Sequence, residues 1–124
     1  MKLIAIAKAR EVIKHHLQDK VPFRTAYKFT RFLKETETQD DFYNEKLREL
    51  VELYGKKGDD GRIIYSNGML TLQEDKIRDW TEKIEELYNT EVETPSVVFE
   101  PSDFDGLNVT TGEIGELIDF IKGD

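Results

Sequence analysis

Residues 21–61 read VPFRTAYKFTRFLKETETQDDFYNEKLRELVELYGKKGDDG. Phe29, Leu33, Thr36, Asp40, Tyr43, Leu47, Leu50 and Tyr54 recur roughly every 3.5 residues, a helical period. Pro22 suits the first turn of such a helix, where its missing N–H breaks no intrahelical bond. No glycine or proline interrupts the run before Gly55. The spacing therefore predicts one continuous helix of about 33 residues, roughly 50 Å long. Its ends are apolar and its middle, residues 35–41, is polar. Two helices meeting near residues 36–41 are the alternative. Gly55 stands where a glycine cap is expected, and the Gly-Asp-Asp-Gly run at 58–61 marks a turn.

Working outward, residues 2–18 predict a first helix, with Leu3, Ile6, Ala9 or Arg10, Ile13 and Leu17 along its apolar stripe. Residues 62–65 and 69–72 flank Asn67-Gly68. That dipeptide favours a type I′ hairpin, because both residues tolerate positive φ. A third helix is expected over 73–89, with Ile77, Trp80 or Thr81, Ile84, Leu87 and Tyr88 as its apolar stripe facing inward. Residues 96–100 read as a strand and 101–107 as a loop. Thr110 with Glu113 three residues on forms a capping box. It opens a final helix whose apolar face is Ile114, Leu117, Ile118 and Ile121. The expected fold is α+β and mostly helical: an elongated bundle of two or three helices, a small antiparallel hairpin sheet and a short C-terminal helix. At 124 residues the chain is read as one domain, 1–124.

The order of these features resembles a group of small proteins encoded by phages and prophages of Gram-positive bacteria, the DUF1617-like group. The likeness lies in the lead-in from Val21 to Lys28, the long charged helix, and the run from Glu52 through Tyr54-Gly55 to Gly61. The hairpin, the Trp80 helix and the acidic end follow in the same order. The resemblance implies a setting, a phage protein acting in the host cytoplasm, and carries no catalytic motif.

Charge is distributed unevenly. Up to Lys34 nine cations stand against Glu11 and Asp19, a surplus of seven, while the whole chain carries −8. The remainder therefore carries −15. Between Lys83 and Lys122 there is no lysine or arginine, and ten carboxylates fill the gap. Such segregation points to electrostatic recognition of a partner. No stretch approaches the apolar length of a membrane span, and the N-terminal residues do not read as a secretory signal. The absence of cysteine removes disulfides and thiolate metal ligands and fits a reducing compartment.

Catalytic chemistry is poorly supported. His15 and His16 are the only histidines. Sequence neighbours on a helix point about 100° apart, so the pair is not expected to chelate one metal. Residues 56–67 fail as a calcium loop, because Lys56 and Asn67 fall where an acidic first ligand and a glutamate are needed. Ser66, Ser96 and Ser102 lack a nucleophile-elbow context, and no phosphate-binding or dinucleotide glycine motif is present. The expectation is a non-enzyme with no cofactor and no metal.

The charge split leaves three readings. The basic N-terminal helices could pack against the chain's own carboxylates. An acidic surface could meet a protein partner, with imitation of a phosphate backbone one way to do so; its candidate contacts are Glu85, Glu86, Asp103, Asp105, Glu113, Glu116 and Asp119. Alternatively a basic face, Lys8, Lys14, Arg24, Lys28 and Arg31, could bind nucleic acid, although the interleaved Phe23, Tyr27, Phe29 and Phe32 fall at core spacing. The partner preferred on these grounds is a protein: a host-defence or replication component, or a phage assembly protein. Homo-oligomerisation through the long helix is a further possibility.

Overall fold

The computed structural model describes residues 1–123. It is mostly helical: α1 (Leu3–His15), α2 (Phe23–Glu35), α3 (Glu37–Tyr54), α4 (Ile77–Tyr88) and α5 (Thr111–Leu117), with a two-stranded antiparallel sheet of β1 (Tyr65–Ser66) and β2 (Met69–Leu70). Short 3₁₀ turns occupy Glu74–Lys76, Pro101–Phe104 and Ile118–Phe120. The α+β, mostly helical architecture read from the sequence is the one observed.

The core has two parts, and α1 serves both. Ile6, Ala9, Val12 and Ile13 pack with Phe29 and Phe32 of α2 and with Phe99, Phe104, Leu117 and Phe120 from the C-terminal third. Leu3, one turn earlier on α1, instead joins Ile84 and Leu87 of α4, flanked by Tyr43, Leu47, Leu50 and Trp80. The N-terminus is tied down beside this second cluster. The Met1 ammonium lies 2.9 Å from Glu91 Oε2, and the Leu3 N–H donates to the Thr90 carbonyl at 2.8 Å. Helix α1 stops at His15, so Leu17, expected on its stripe, lies exposed. Ile77 and Ile118, also expected to face inward, are exposed too, and Phe120 supplies the buried side chain near the C-terminus.

The predicted continuous helix is broken at Thr36, which has φ −102° and ψ 8° and separates α2 from α3. The cause lies on another helix. Arg10 of α1 is 7% exposed. Its Nη1 donates to the Leu33 carbonyl and to Thr36 Oγ1, each at 2.7 Å. The Thr36 hydroxyl in turn donates to the Phe32 carbonyl at 2.7 Å. A carbonyl that a continuous helix reserves for the N–H four residues on is thus taken by a guanidinium. Arg10 Nη2 also pairs with Asp40 Oδ2 at 3.2 Å, one turn into α3.

Gly55 does not cap α3 in the left-handed region. It is extended, φ −69° and ψ 143°, and its glycine identity answers to space. A Cβ there would lie 2.6 Å from the Val51 carbonyl oxygen and 2.9 Å from Ile63 Cδ1. The hairpin is as expected, with Asn67 at φ 53° and Gly68 at φ 77° and Tyr65 paired with Leu70. Residues beside Gly55 extend this small sheet: the Lys56 N–H donates to Thr71 and the Ile64 N–H to Lys56.

The expected strand at 96–100 is reduced to a single parallel bridge between Phe99 and Ile121. Its hydrogen bonds, Phe99 N–H to Phe120 and Lys122 N–H to Phe99, are both 2.7 Å. Pro101 follows at once, starts a 3₁₀ turn and has no N–H to continue a ladder. The capping box at α5 is complete, with Thr110 Oγ1 accepting from the Glu113 N–H and Glu113 Oε1 from the Thr110 N–H, both at 3.1 Å.

Candidate functional site

The five candidate nucleic-acid contacts each face a carboxylate of the same chain. Arg24 and Lys28 lie one turn apart on α2 and converge on Asp103 of the Pro101–Phe104 turn. Arg24 Nε stands 2.9 Å from Oδ1 and Lys28 Nζ 2.6 Å from Oδ2. Arg31 pairs with Glu35 at 2.8 Å, Lys14 with Asp40 at 3.9 Å and Lys8 with Glu116 at 4.0 Å. The last two are long, exposed contacts that contribute little. The first three are close: Arg24 and Lys28 fasten α2 to the C-terminal third, whereas Arg31 pairs within α2 itself.

Asp103 is buried. Burial alone would raise its pKa. The bond from Lys28, the N–H of Glu100 and the charges of Lys28 and Arg24 outweigh that and leave it lowered. Glu35 makes a parallel junction. It accepts from the Ser96 hydroxyl at 2.5 Å, the Ser96 N–H at 2.9 Å and Arg31. Ser96 first, then Arg31, hold its carboxyl at about 2 against an ordinary 4.5.

A carboxylate held low in the folded state stabilises it above the unfolded value and loses that contribution as acid is added. The stability gap between wild type and Glu35→Gln should therefore be widest near neutral pH. It should narrow as pH falls from about 4.5 toward 2. Urea midpoints at pH 7 and pH 3 test this, and a gap of equal size at both would show that Glu35 titrates no differently on unfolding.

Two of the seven candidate acidic contacts are turned inward. Asp103 is enclosed as described, and Glu113 sits between α5 and the end of α1. The other five, Glu85, Glu86, Asp105, Glu116 and Asp119, are exposed. Glu86 has Lys83 at 3.4 Å and Glu116 has Lys8. Among the described residues no cation lies within 4.0 Å of Glu85, Asp105 or Asp119. Glu85 and Glu86 ride on α4 beside the second core cluster. Glu116 and Asp119 ride on α5 and the turn after it, in segments belonging to the first.

The interleaved aromatics divide. Phe29 and Phe32 are core, whereas Phe23 is 84% exposed and Tyr27 52%. The last two stack on each other with ring centroids 6.1 Å apart. Phe29 and Phe32 share the buried face of α2 with Thr25, whereas Phe23 and Tyr27 lie on the opposite face of the helix, roughly 180° round at about 100° per residue.

A cluster absent from the sequence reading lies at the C-terminal end of α1. His15 Nδ1 and His16 Nε2 are each 2.9 Å from the same oxygen, Glu113 Oε2. The other nitrogen of His16, Nδ1, is 2.6 Å from Asp19 Oδ2. The expectation that the two rings diverge is overturned because the helix ends between them. His16, at φ −104° and ψ 9°, has already left helical geometry, and its ring turns back beside that of His15, 4.8 Å between centroids. Bonds from His15 and from the Thr110 N–H, then from His16, hold the Glu113 carboxyl down at about 2. Burial would lower the pKa of His16, but the two carboxylates override it and raise the value. No local signal joins His16 to a carboxylate 97 residues away. The one clue is that Glu113 belongs to a capping box and so has a fixed orientation.

Fold and surface together define a helical α+β domain in which α2 is tied through Arg24 and Lys28 to a carboxylate of the C-terminal third. No family model matches the chain, and neither a curated protein nor a solved structure matches it. Among the described residues no helix is long and apolar enough to cross a membrane.

Proposed function

We propose that this chain is a non-catalytic accessory protein that binds another protein through its acidic surface. The observation that carries the reading is the asymmetry of pairing. Arg24, Lys28 and Arg31 are held at 2.6–2.9 Å by internal carboxylates, while Glu85, Asp105 and Asp119 face solvent with no partner cation among the described residues. The charge left over for an encounter is negative, and it favours a basic protein surface over a phosphate backbone.

The non-catalytic part rests on the sequence, which lacks nucleophile, phosphate-loop and dinucleotide signatures. The layout of residues 21–61 supports the phage setting, and with it the host cytoplasm as location. In that setting the partner is a host-defence or replication component or a phage assembly protein.

The test is capture from host lysate at low and high salt. The proposal expects a basic protein that is retained at low salt and released at high salt. It also expects that protein to be lost when Glu85, Glu86, Asp105, Glu116 and Asp119 are changed to Gln or Asn. Retention by the neutralised variant equal to wild type would remove the acidic surface from the account.

One observation favours a second reading. The stacked, exposed pair of Phe23 and Tyr27 lies beside Arg24 and Arg31, which are themselves half exposed. An aromatic step flanked by guanidinium groups is a platform on which the bases of single-stranded nucleic acid stack.

A further inference from the structure

His16 presents both ring nitrogens to carboxylate oxygens, Asp19 at 2.6 Å and Glu113 at 2.9 Å. A neutral imidazole has one N–H to donate. One of the two contacts is therefore left without a donor unless a cation, either a second proton or a metal ion, occupies it. The second ring, His15, is directed at the same Glu113 oxygen. One carboxylate oxygen thus stands between two imidazole nitrogens, and all three atoms lie within 4.8 Å of one another.

We propose that His15 Nδ1, His16 Nε2 and Glu113 Oε2 form a three-ligand site for a zinc-class divalent ion, with one coordination position left open. Imidazole nitrogen and carboxylate oxygen suit such an ion, at about 2.0–2.2 Å from each ligand atom. The surroundings orient two of the three ligands in advance. Asp19 accepts the Nδ1–H of His16 and so fixes Nε2 as the free nitrogen, the carboxylate–histidine arrangement that supports metal ligands. Glu113 is aimed by the capping box, in which its Oε1 accepts the Thr110 N–H and leaves Oε2 for the metal. His15, 72% exposed on its side chain, is the mobile third ligand. A tetrahedral site needs donor atoms about 3.3 Å apart at those bond lengths, and rotation of the His15 ring toward His16 supplies the closure. On binding, the ion takes the place of the proton between His16 and Glu113, and that proton is released to solvent.

The full chain without an affinity tag is titrated with Zn²⁺ alone by calorimetry, and with Co²⁺ followed by visible absorption. The expected result is one ion per chain with the strong visible bands of tetrahedral cobalt. His15→Ala removes an exposed ligand with little reason to disturb the fold, which circular dichroism checks. It should weaken binding by about tenfold or more, and Asp19→Asn, which touches no ligand atom of the metal, by about 10–100-fold. Absence of saturable binding would overturn the proposal. So would wild-type affinity in both variants, or several ions per chain with an octahedral cobalt spectrum, the mark of scattered surface carboxylates.

Discussion

Replacing Arg10 by alanine is expected to destabilise the fold by about 3–5 kcal/mol, the usual cost of removing one partner from a buried ion pair. Three groups lose a partner at once: the Leu33 carbonyl, the Thr36 hydroxyl, which keeps only its bond to Phe32, and the Asp40 carboxylate. Lys14, at 3.9 Å from Asp40, is too distant and too exposed to replace the guanidinium. Arg10→Lys should fall between alanine and wild type, since an ammonium keeps the charge but lacks the planar fork that reaches both helices.

The arrangement also carries an internal cost, because Arg10 Nε is buried without a hydrogen-bond partner. The double replacement of Arg10 by Met and Asp40 by Leu should therefore recover much of what the single change loses. Urea unfolding of the four proteins measures the set. An Arg10→Ala cost below about 1 kcal/mol would mean that something other than this guanidinium holds the break at Thr36.

The second large effect is expected at Phe99. Its ring is fully buried and lies 5.6–6.0 Å from those of Phe29, Phe32 and Phe104. Truncation to alanine should cost about 3–5 kcal/mol through lost transfer energy and the cavity left behind. That is a large part of the stability of a domain this size. The neighbouring Val98 is 51% exposed, and Val98→Ala should stay within about 0.5 kcal/mol of wild type. The contrast between adjacent positions fixes which side of this segment faces the core. A larger loss at Val98 than at Phe99 would show that the segment is turned the other way.

These two residues also mark what the sequence makes legible. Signals are legible where the physics is local. The α1 stripe as far as Ile13 follows from three- and four-residue spacing, the hairpin from Asn67-Gly68, and the start of α5 from Thr110 and Glu113. The polar stretch at 35–41 marks where two helices can meet, but nothing local selects the break at Thr36: no glycine or proline lies near it, and its cause sits 26 residues away on α1. Phe99 reads as a strand residue by its β-branched neighbours, yet among the described residues its only ladder partner is Ile121.

The candidate site shows the same division. The basic run and the acidic run are plain in the sequence, but their mutual pairing is not. Asp103 looks like any exposed loop acid until α2 places Arg24 and Lys28 against it. Glu113 looks like a helix cap alone until the end of α1 brings two histidines to its second oxygen.

The central claim is that six of the nine cations in the first 34 residues lie within 4.0 Å of the chain's own carboxylates, so that the charge offered to a partner is negative. Binding to single- and double-stranded DNA across a salt series addresses it directly. The account predicts no saturable binding near physiological ionic strength, and no change when Lys8, Lys14, Arg24, Lys28 and Arg31 are neutralised. Tight binding that weakens steeply with salt, as counterion release requires, and that disappears in the neutralised variant would contradict it.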